Sequence, residues 1–395
     1  MAGIFYGWIG IYYANMAQMQ DTWSYHFSSL EETKLLFTNP HEYFMNLFHN
    51  PYEEGGIKKF FESDNSYWND LKGIFFVKIL SLFNIFSFGH YYTNVIFYSF
   101  ISMFGPIAIF RVMNDVFPGK KWQVLAGTFL IPSFLYWTSG LHKEGLIFLG
   151  FSLVIFTVYF ALKNKKIPVG KIFIILLGLL LVLILRNFLI VVLLPALIAW
   201  LLATKFPKKG LSVFAACYTV FIILFFTAKY IHPDLNFPSA VVKKQKEFTA
   251  LLGNSSVPTK KLEPTFSSFI INSPQAITLA TIRPYPSDVR HILSLAAATE
   301  INFLLLLFLV FLFFRKNGST SRLFIYFCLF LSFSILLTIG YTVNNIGAIV
   351  RYRSIVFPFL IVPLFCGIDW ERIYNLFFNN IKNKNNVTKT SGLTQ

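Results

Sequence analysis

The chain contains 395 residues, of which 55% are hydrophobic and 19% aromatic, and its mean hydropathy is +0.59. This composition is too apolar for an ordinary soluble domain, so that class is excluded. Lys and Arg outnumber Asp and Glu by 34 to 18. Because the basic residues lie between apolar runs instead of along one stripe, they favour anionic lipid headgroups or lipid-linked substrates over nucleic acid as partners.

Apolar segments long enough to cross a bilayer recur along the chain, since a helix needs roughly 17 to 25 apolar residues to do so. On this criterion the predicted spans are 2–18, 91–110, 122–139, 145–162, 171–185, 188–204, 211–230, 291–314, 321–340 and 354–370. Segment 73–88 is short and carries Lys78, so we predict an interfacial helix there. If this segment crosses the bilayer instead, the predicted topology shifts. The sequence thus predicts an all-α integral membrane protein with about ten transmembrane helices.

We predict that residues 1–370 form a single polytopic membrane domain. The first segment lacks the basic region and the cleavage site of a secretory signal peptide, so we expect a retained span. Residues 371–395 are polar and low in complexity, and a disordered cytoplasmic tail is expected there.

Basic residues in the short connections predict the orientation of the spans, because Lys and Arg resist translocation and stay in the cytoplasm. They fall in alternate connections, at Arg111, Lys120, Lys121, Lys163, Lys165, Lys166, Lys205, Lys208, Lys209, Arg315, Lys316 and Arg322, and in the tail. Both termini are then cytoplasmic. The outer face receives residues 19–90, 231–290 and 341–353, together with the turns at 139–145 and 186–187.

The two long outer loops, 19–90 and 231–290, mix charged and aromatic residues. Pieces such as EETKLLF, YEEGGIKKFF and KKQKEFTALLG are amphipathic. Amphipathic segments of this kind lie along membrane surfaces, so we expect interfacial helices in both loops.

An acidic residue, Asp21, follows the first predicted span in the sequence QDTWSYH. A carboxylate at the outer mouth of a membrane helix suits a general base that acts on an acceptor hydroxyl. Tyr25 and His26 follow one helical turn later and are candidates for substrate binding. Asp is also a favoured N-cap residue, so a purely structural role for Asp21 stays open.

The turn SGLHKEG, residues 139–145, places titratable side chains between two apolar spans. Its His142, Lys143 and Glu144 supply acid/base capacity and a contact for an anion. We therefore assign His142 and Glu144 as candidate catalytic residues and Lys143 as a substrate-binding residue. The alternative is a solvated interfacial turn from which Lys143 extends to the membrane surface.

Four arginines lie at span ends on the predicted outer side: Arg186, Arg283, Arg351 and Arg353. Guanidinium groups bind phosphate through paired hydrogen bonds and stay charged in apolar surroundings, so converging arginines suit a lipid phosphate or pyrophosphate. A single arginine beside a membrane is more often a headgroup anchor. Outward arginines oppose the positive-inside tendency, however, and their number favours a site.

The spacing of Arg351 and Arg353 makes their orientation depend on the backbone. On a helix, residues two apart point to different faces, whereas on an extended segment they point to the same side. Gly340 and Gly347 favour irregular backbone in this region.

The sequence requires no cofactor and predicts no metal site. The cysteines lie in apolar runs without paired spacing, at Cys217, Cys328 and Cys366. Neither a disulfide framework nor a zinc site is therefore predicted, and no glycine-rich phosphate loop is present. A divalent ion shared by Asp21, Glu144 and a donor phosphate stays open.

These segments together resemble polytopic bacterial envelope glycosyltransferases of the C superfamily. In that family an acidic residue in the first extracytoplasmic loop acts as base, and polyprenyl-linked sugars are donors. QDTWSYH would be that loop and Asp21 the base, although many members carry paired acidic residues where this chain has Asp21 followed by Thr22. The arginine-rich outer loops also resemble those of O-antigen polymerases.

The resemblance implies a glycosyltransferase of the bacterial inner membrane that acts in polysaccharide biosynthesis for the cell envelope. It would move a sugar from a polyprenyl-phosphate donor to a glycan or lipid acceptor at the outer face. Arg283, Arg351 and Arg353 would hold the donor phosphate and stabilise its leaving charge. The alternatives are a lipid-linked polysaccharide polymerase, a non-enzymatic transporter or flippase of lipid-linked sugars, and a structural partner in an envelope complex.

Overall fold

The computed structural model describes residues 1–12, 21–52, 55–62, 64–251, 255–316 and 319–376. Over these ranges the regular elements are helices, accompanied by two isolated β-bridges, Ser256 with Asn345 and Arg315 with Ile368. The α-helices in chain order are α1 Ala2–Tyr12, α2 Asp21–Thr38, α3 Pro40–Met45, α4 Tyr67–Ser87, α5 Tyr91–Ser102, α6 Phe104–Val116, α7 Lys121–Phe129, α8 Pro132–Ser139, α9 Lys143–Asn164, α10 Val169–Arg186, α11 Phe188–Lys205, α12 Gly210–Thr227, α13 Phe237–Ala250, α14 Phe266–Thr281, α15 Ile292–Phe313, α16 Arg322–Thr342, α17 Ile346–Ser354, α18 Phe357–Gly367 and α19 Trp370–Tyr374.

Within the described ranges, seven helical segments are long and apolar enough to cross a membrane. They are Tyr91–Val116, Lys143–Asn164, Val169–Arg186, Phe188–Lys205, Pro207–Tyr230, Ile292–Phe313 and Arg322–Thr342. An eighth arises if α17 and α18, which are bent by 66° at their junction, form one span. The predicted all-α membrane protein is therefore confirmed, while the count of ten stays a prediction.

Two predicted spans are not single straight helices. Segment 122–139 is divided into α7 and α8, because Ile131 precedes a proline and is extended, and Pro132 begins the next helix. Segment 354–370 begins inside α17 and continues as α18. The predicted span 2–18 begins as α1, and its end lies outside the described residues.

The ambiguous segment 73–88 falls largely within α4, which is longer than predicted and is not among the candidate spans. α4 packs along α2 and also contacts α10 and α5. Lys78 is buried on α4, where its Nζ lies 2.7 Å from Glu32 Oε2. This pairing explains how a lysine is accommodated on the packed face of the helix. Whether α4 lies along the membrane surface stays a prediction.

Helix α9 is the most deeply buried of the candidate spans and packs against α6 and α10. α9 and α10 approach closely at Gly150 and Gly178, where an added Cβ on either glycine would lie within 2.8 Å of the carbonyl oxygen of the other. Small residues permit such close helix contacts in membranes. The central position of α9 carries the residues at its N-terminus into the protein interior.

Residues from the predicted cytoplasmic connections meet at one end of the helices. Lys163 Nζ lies 2.6 Å from Asp115 Oδ1, which joins the end of α9 to the end of α6. Lys316 Nζ lies 3.2 Å from Glu371 Oε2. Thr320 donates its backbone N–H to the carbonyl of Val116 at 2.9 Å.

Residues from the predicted outer loops meet elsewhere. Asn187, in the turn between α10 and α11, donates its side-chain amide to the Phe60 carbonyl. Lys243 Nζ contacts Glu62 Oε2 at 2.5 Å. Contacts thus join loops assigned to the same side, as the predicted register requires, while the side that faces the cytoplasm stays a prediction.

Candidate functional site

The predicted catalytic turn forms the buried start of α9. His142, Lys143 and Glu144 are each less than a tenth exposed. This burial excludes the solvated-turn alternative. The three side chains therefore belong to the protein interior, where an uncompensated charge is costly.

Tyr98 on α5 fixes the backbone of this turn. Its hydroxyl donates to the His142 carbonyl and accepts from the Leu146 N–H at 3.2 Å. Gly145 suits the tight packing, because a Cβ there would lie 2.5 Å from the Thr138 carbonyl oxygen. These contacts hold the first turn of α9 in a single position.

Glu144 is fully buried and contacts two arginines. Its Oε1 lies 2.9 Å from Arg186 Nη2 and 2.8 Å from Arg351 Nε. The positive end of the α9 dipole also favours a carboxylate in the first turn. Glu144 Oε2 has no hydrogen-bond partner among the described residues. One oxygen thus carries both ion pairs, and the other is left for a further donor.

Arg351 on α17 joins the buried Glu144 to Asp21 at the surface. Its Nη1 lies 3.0 Å from Asp21 Oδ2, and the Asp21 side chain is 58% exposed. Asp21 is the first residue described for α2, so its capping geometry lies outside the described residues. The guanidinium carbon of Arg351 also lies 5.6 Å from the centre of a Trp137 ring. Asp21 therefore stands at the mouth of a site whose floor is Glu144.

Arg186 approaches Glu144 from the last turn of α10, where a cation is favoured by the helix dipole. Its guanidinium lies 4.0 Å from the centre of the Tyr352 ring. A cation over an aromatic face is stabilised by the ring quadrupole. Tyr352 therefore helps to orient the guanidinium toward Glu144.

Lys143 and Tyr25 bring two more predicted residues into the site. The Lys143 Nζ lies 4.8 Å from the centre of the Tyr25 ring. Burial raises the pKa of Tyr25 to about 12, so this side chain stays a neutral hydroxyl near pH 7. Tyr25 thus provides an aromatic face for the ammonium group and does not neutralise it.

Lys72 lies on α4 one helical turn before Phe76, whose ring packs against that of Tyr25 at 5.1 Å, and the sequence analysis did not identify it. Burial, and then the charges of Lys244 and Arg186, lower its pKa to about 8. Its ammonium donates to Asn69 Oδ1. The only signal in the sequence was an amphipathic outer loop, in which a lysine resembles a headgroup anchor. We call Asp21, Tyr25, Lys72, Lys143, Glu144, Arg186 and Arg351 the polar cluster.

Two predicted phosphate ligands, Arg283 and Arg353, lie apart from the polar cluster. Arg353 is fully buried and donates from Nη1 to the carbonyls of Ala280, at 3.2 Å, and Arg283. Arg283 itself pairs with Asp288 at 3.3 Å. Because 351–353 is helical, Arg351 and Arg353 point to different faces. The expected convergence of Arg283, Arg351 and Arg353 on one phosphate is therefore not seen.

The two predicted histidines are packing residues in this structure. His26 is buried, burial lowers its pKa, and its Nδ1 lies 3.5 Å from Asn94 Nδ2. The ring of His142 lies 5.1 Å from that of Trp137 and is fully buried. His142 lies beside Trp137, whose ring in turn lies beside Arg351 of the polar cluster. His26 packs against α5 instead.

A divalent ion shared by Asp21 and Glu144 does not fit the arrangement of these side chains. The Arg351 guanidinium bridges the two carboxylates and supplies the positive charge between them. Among the described residues, no group of three or more His, Cys, Asp or Glu could hold a metal ion. We therefore assign no chemical step to a metal.

Comparison with known proteins leaves the family of this chain open. The chain matches no protein-family model, no curated protein and no solved structure. Membership of the C superfamily of glycosyltransferases thus stays an expectation from the sequence.

Proposed function

We propose that this protein is a glycosyltransferase of the bacterial inner membrane that moves a sugar from a polyprenyl-phosphate donor to a hydroxyl of an envelope glycan or lipid. The observation that carries the proposal is the polar cluster. An exposed carboxylate, Asp21, stands beside cations that line the interior at one end of an apolar helical protein. Base and cations are the two elements that transfer from a lipid phosphate requires.

In this reaction Asp21 takes the proton of the acceptor hydroxyl while the acceptor oxygen attacks the anomeric carbon of the donor sugar. The bond between that carbon and the phosphate oxygen breaks, and the lipid phosphate leaves with the bonding electrons. Nearby cations stabilise the negative charge that grows on the leaving oxygen. Arg351 holds the Asp21 carboxylate in position through its Nη1.

Glu144 acts as a positioning residue in this scheme. It is fully buried and receives both arginines, so it is not available to the acceptor as Asp21 is. Its part is to fix Arg351, which in turn fixes Asp21. His142 does not take part in proton transfer, because its ring is enclosed beside Trp137.

The test is sugar transfer by the full chain reconstituted in lipid vesicles with a polyprenyl-phosphate sugar and a glycan acceptor. Asp21→Asn keeps the shape of the side chain but removes the base, so we expect a rate about 100-fold lower. Glu31→Gln is the matched control, because Glu31 is an exposed acid on the same helix and pairs with Lys34 at 2.8 Å. Transfer by Asp21→Asn at the wild-type rate would refute the role of Asp21 as base.

Other outcomes identify the alternative functions. Full-length polymer made by Asp21→Asn would indicate a polymerase that acts on lipid-linked glycans without this base. Movement of a lipid-linked sugar across the vesicle membrane without bond formation would indicate a flippase. Neither alternative explains why an exposed carboxylate is held against a largely buried arginine.

A further inference from the structure

The two arginines of the polar cluster are already paired with carboxylates. Arg351 contacts both Asp21 and Glu144, and Arg186 contacts Glu144. Two carboxylates thus balance two guanidinium groups. A phosphate that displaced these pairs would leave Glu144 buried without a countercharge, which is strongly unfavourable.

The two lysines of the polar cluster have no such partner. No carboxylate oxygen lies within 4 Å of Lys72 Nζ or Lys143 Nζ among the described residues. Lys72 donates to the neutral amide of Asn69, and Lys143 lies over the neutral ring of Tyr25. Lys72 and Lys143 are therefore the cations of the polar cluster that form no direct ion pair among the described residues, while the carboxylates of Glu247 and Asp70 act on Lys72 from a greater distance.

Tyr25 links the two lysines, because its ring lies 4.8 Å from Lys143 Nζ and 5.1 Å from the ring of Phe76, which follows Lys72 by one turn of α4. The charges of Lys244 and Arg186 act on Lys72 from the other side and, after burial, lower its pKa. Lys244 pairs with Glu247 at 2.9 Å, which removes it as a free cation. Repulsion between partly buried ammonium groups is relieved when an anion binds between them.

We propose that Lys72 and Lys143 form the phosphate-binding element of this protein, and that Arg186 and Arg351 hold Glu144 and Asp21 without contacting the phosphate. The inference rests on the proposed function for its place in catalysis, although phosphate binding is testable without it. Lys143 begins α9, whose N-terminal dipole adds to the attraction for an anion. Lys72 reaches the site from the outer loop, so α4 and α9 contribute one cation each.

The ligand is a phosphate group, carried by a lipid headgroup or free in solution. Binding is measured with the purified full chain in nanodiscs of neutral lipid, with farnesyl phosphate and inorganic phosphate as the two probes. We expect Lys72→Gln to weaken phosphate binding about tenfold, the effect of one charge-assisted hydrogen bond. Lys143→Gln should act in the same direction.

Lys34→Gln is the matched control, because Lys34 lies in the same outer loop with its side chain 70% exposed and pairs with Glu31. It should bind both probes like the wild type. Lys72→Arg, which keeps the charge, should retain most of the affinity. These two variants separate loss of a phosphate contact from loss of folding, which size-exclusion profiles and thermal unfolding report independently.

Equal binding by Lys72→Gln, Lys143→Gln and Lys34→Gln would overturn the inference. Tight binding of farnesyl phosphate with weak binding of inorganic phosphate would identify the ligand as a lipid phosphate. Equal binding of both probes would identify it as a free phosphate group. Each of these supports the lysine element if the affinity depends on Lys72. If phosphate binding depends on the lysines but no sugar is transferred, only the proposed function is refuted. If sugar transfer depends on Asp21 but phosphate binding does not depend on the lysines, only this inference is refuted.

Discussion

At the scale of single residues, Arg351 determines the geometry of the site. Its guanidinium forms ion pairs with both Asp21 and Glu144. The sequence analysis predicted this arginine as a phosphate ligand, whereas the structure pairs it with two carboxylates. The pattern of charges did not reveal that the outer arginines and the acids would satisfy one another, because that depends on the packing of α2, α9, α10 and α17.

Removal of the Glu144 charge should destabilise the protein. Glu144→Gln leaves Arg186 and Arg351 beside a neutral amide in a buried place, which costs roughly 3 kcal/mol or more when one partner of a buried pair is lost. We expect a lower midpoint of thermal unfolding in detergent. Glu263→Gln, an exposed loop residue, is the control. If both variants unfold at the wild-type temperature, Glu144 does not hold the arginines as described.

The pKa of Lys72 gives the site a pH dependence with a defined sign. Because the folded pKa of about 8 lies below the ordinary value of 10.5, folding disfavours the charged form, and the free energy of unfolding should rise as pH increases from 8 to 10.5. Phosphate binding should change in the opposite direction and weaken above pH 8, as the ammonium loses its proton.

Farnesyl phosphate titrations between pH 7 and 10 measure this effect, since the second ionisation of a phosphate ester, near pH 6, is then complete. Lys72→Arg should reduce the fall in affinity, because a guanidinium keeps its charge in this range. Other charges that face Lys72 are Lys143, Arg186, Lys244, Glu247 and Asp70. An unchanged pH profile in Lys72→Arg would show that Lys72 is not the group that titrates.

At the scale of secondary structure, the segment around Arg351 shows where sequence reasoning failed. Gly340 and Gly347 indicated irregular backbone, which the structure confines to residues 343–345, because Asn345 accepts from the Ala348 N–H at 3.1 Å and begins α17. Asn is a strong N-cap residue, so the sequence did contain this signal. The helix sends Arg353 away from Arg351, toward the last turn of α14. The helical backbone of α17 therefore separates Arg353 from Arg351.

Other elements were predictable because a single physical requirement defines them. The apolar run of α9 is long enough to cross a bilayer, and the boundary between α10 and α11 falls at Arg186 and Asn187, as the charge in that turn indicated. Pro132 separates α7 from α8, but the prediction of spans considered only the length of the apolar run and so missed this break. Hydropathy therefore located the helices better than their breaks.

At the scale of the whole molecule, the sequence predicted which loops lie together, while the number of spans and their orientation stay predictions. The positive-inside rule assigned Asp21, Lys143, Glu144, Arg186 and Arg351 to one side. Ion pairs join four of them, and Lys143 lies over Tyr25 beside them. The predicted side of the membrane did not distinguish these residues from Arg283, because the positive-inside rule assigns all the outer loops to that same side. Proximity within one side depends on helix packing, which hydropathy does not encode.

The two ends of the molecule should therefore react from opposite sides of the membrane. In a variant with the native cysteines replaced by serine, Lys34→Cys and Thr265→Cys mark the predicted outer end, and Lys165→Cys and Lys208→Cys the cytoplasmic end; all four positions are exposed. A membrane-impermeant maleimide should label the first pair in intact cells. It should label the second pair only after permeabilisation, because charged reagents do not cross the apolar interior. Labelling of Lys34→Cys and Lys165→Cys from the same side would place both ends of α9 on one face of the membrane, and the polar cluster would then not belong to a spanning helix.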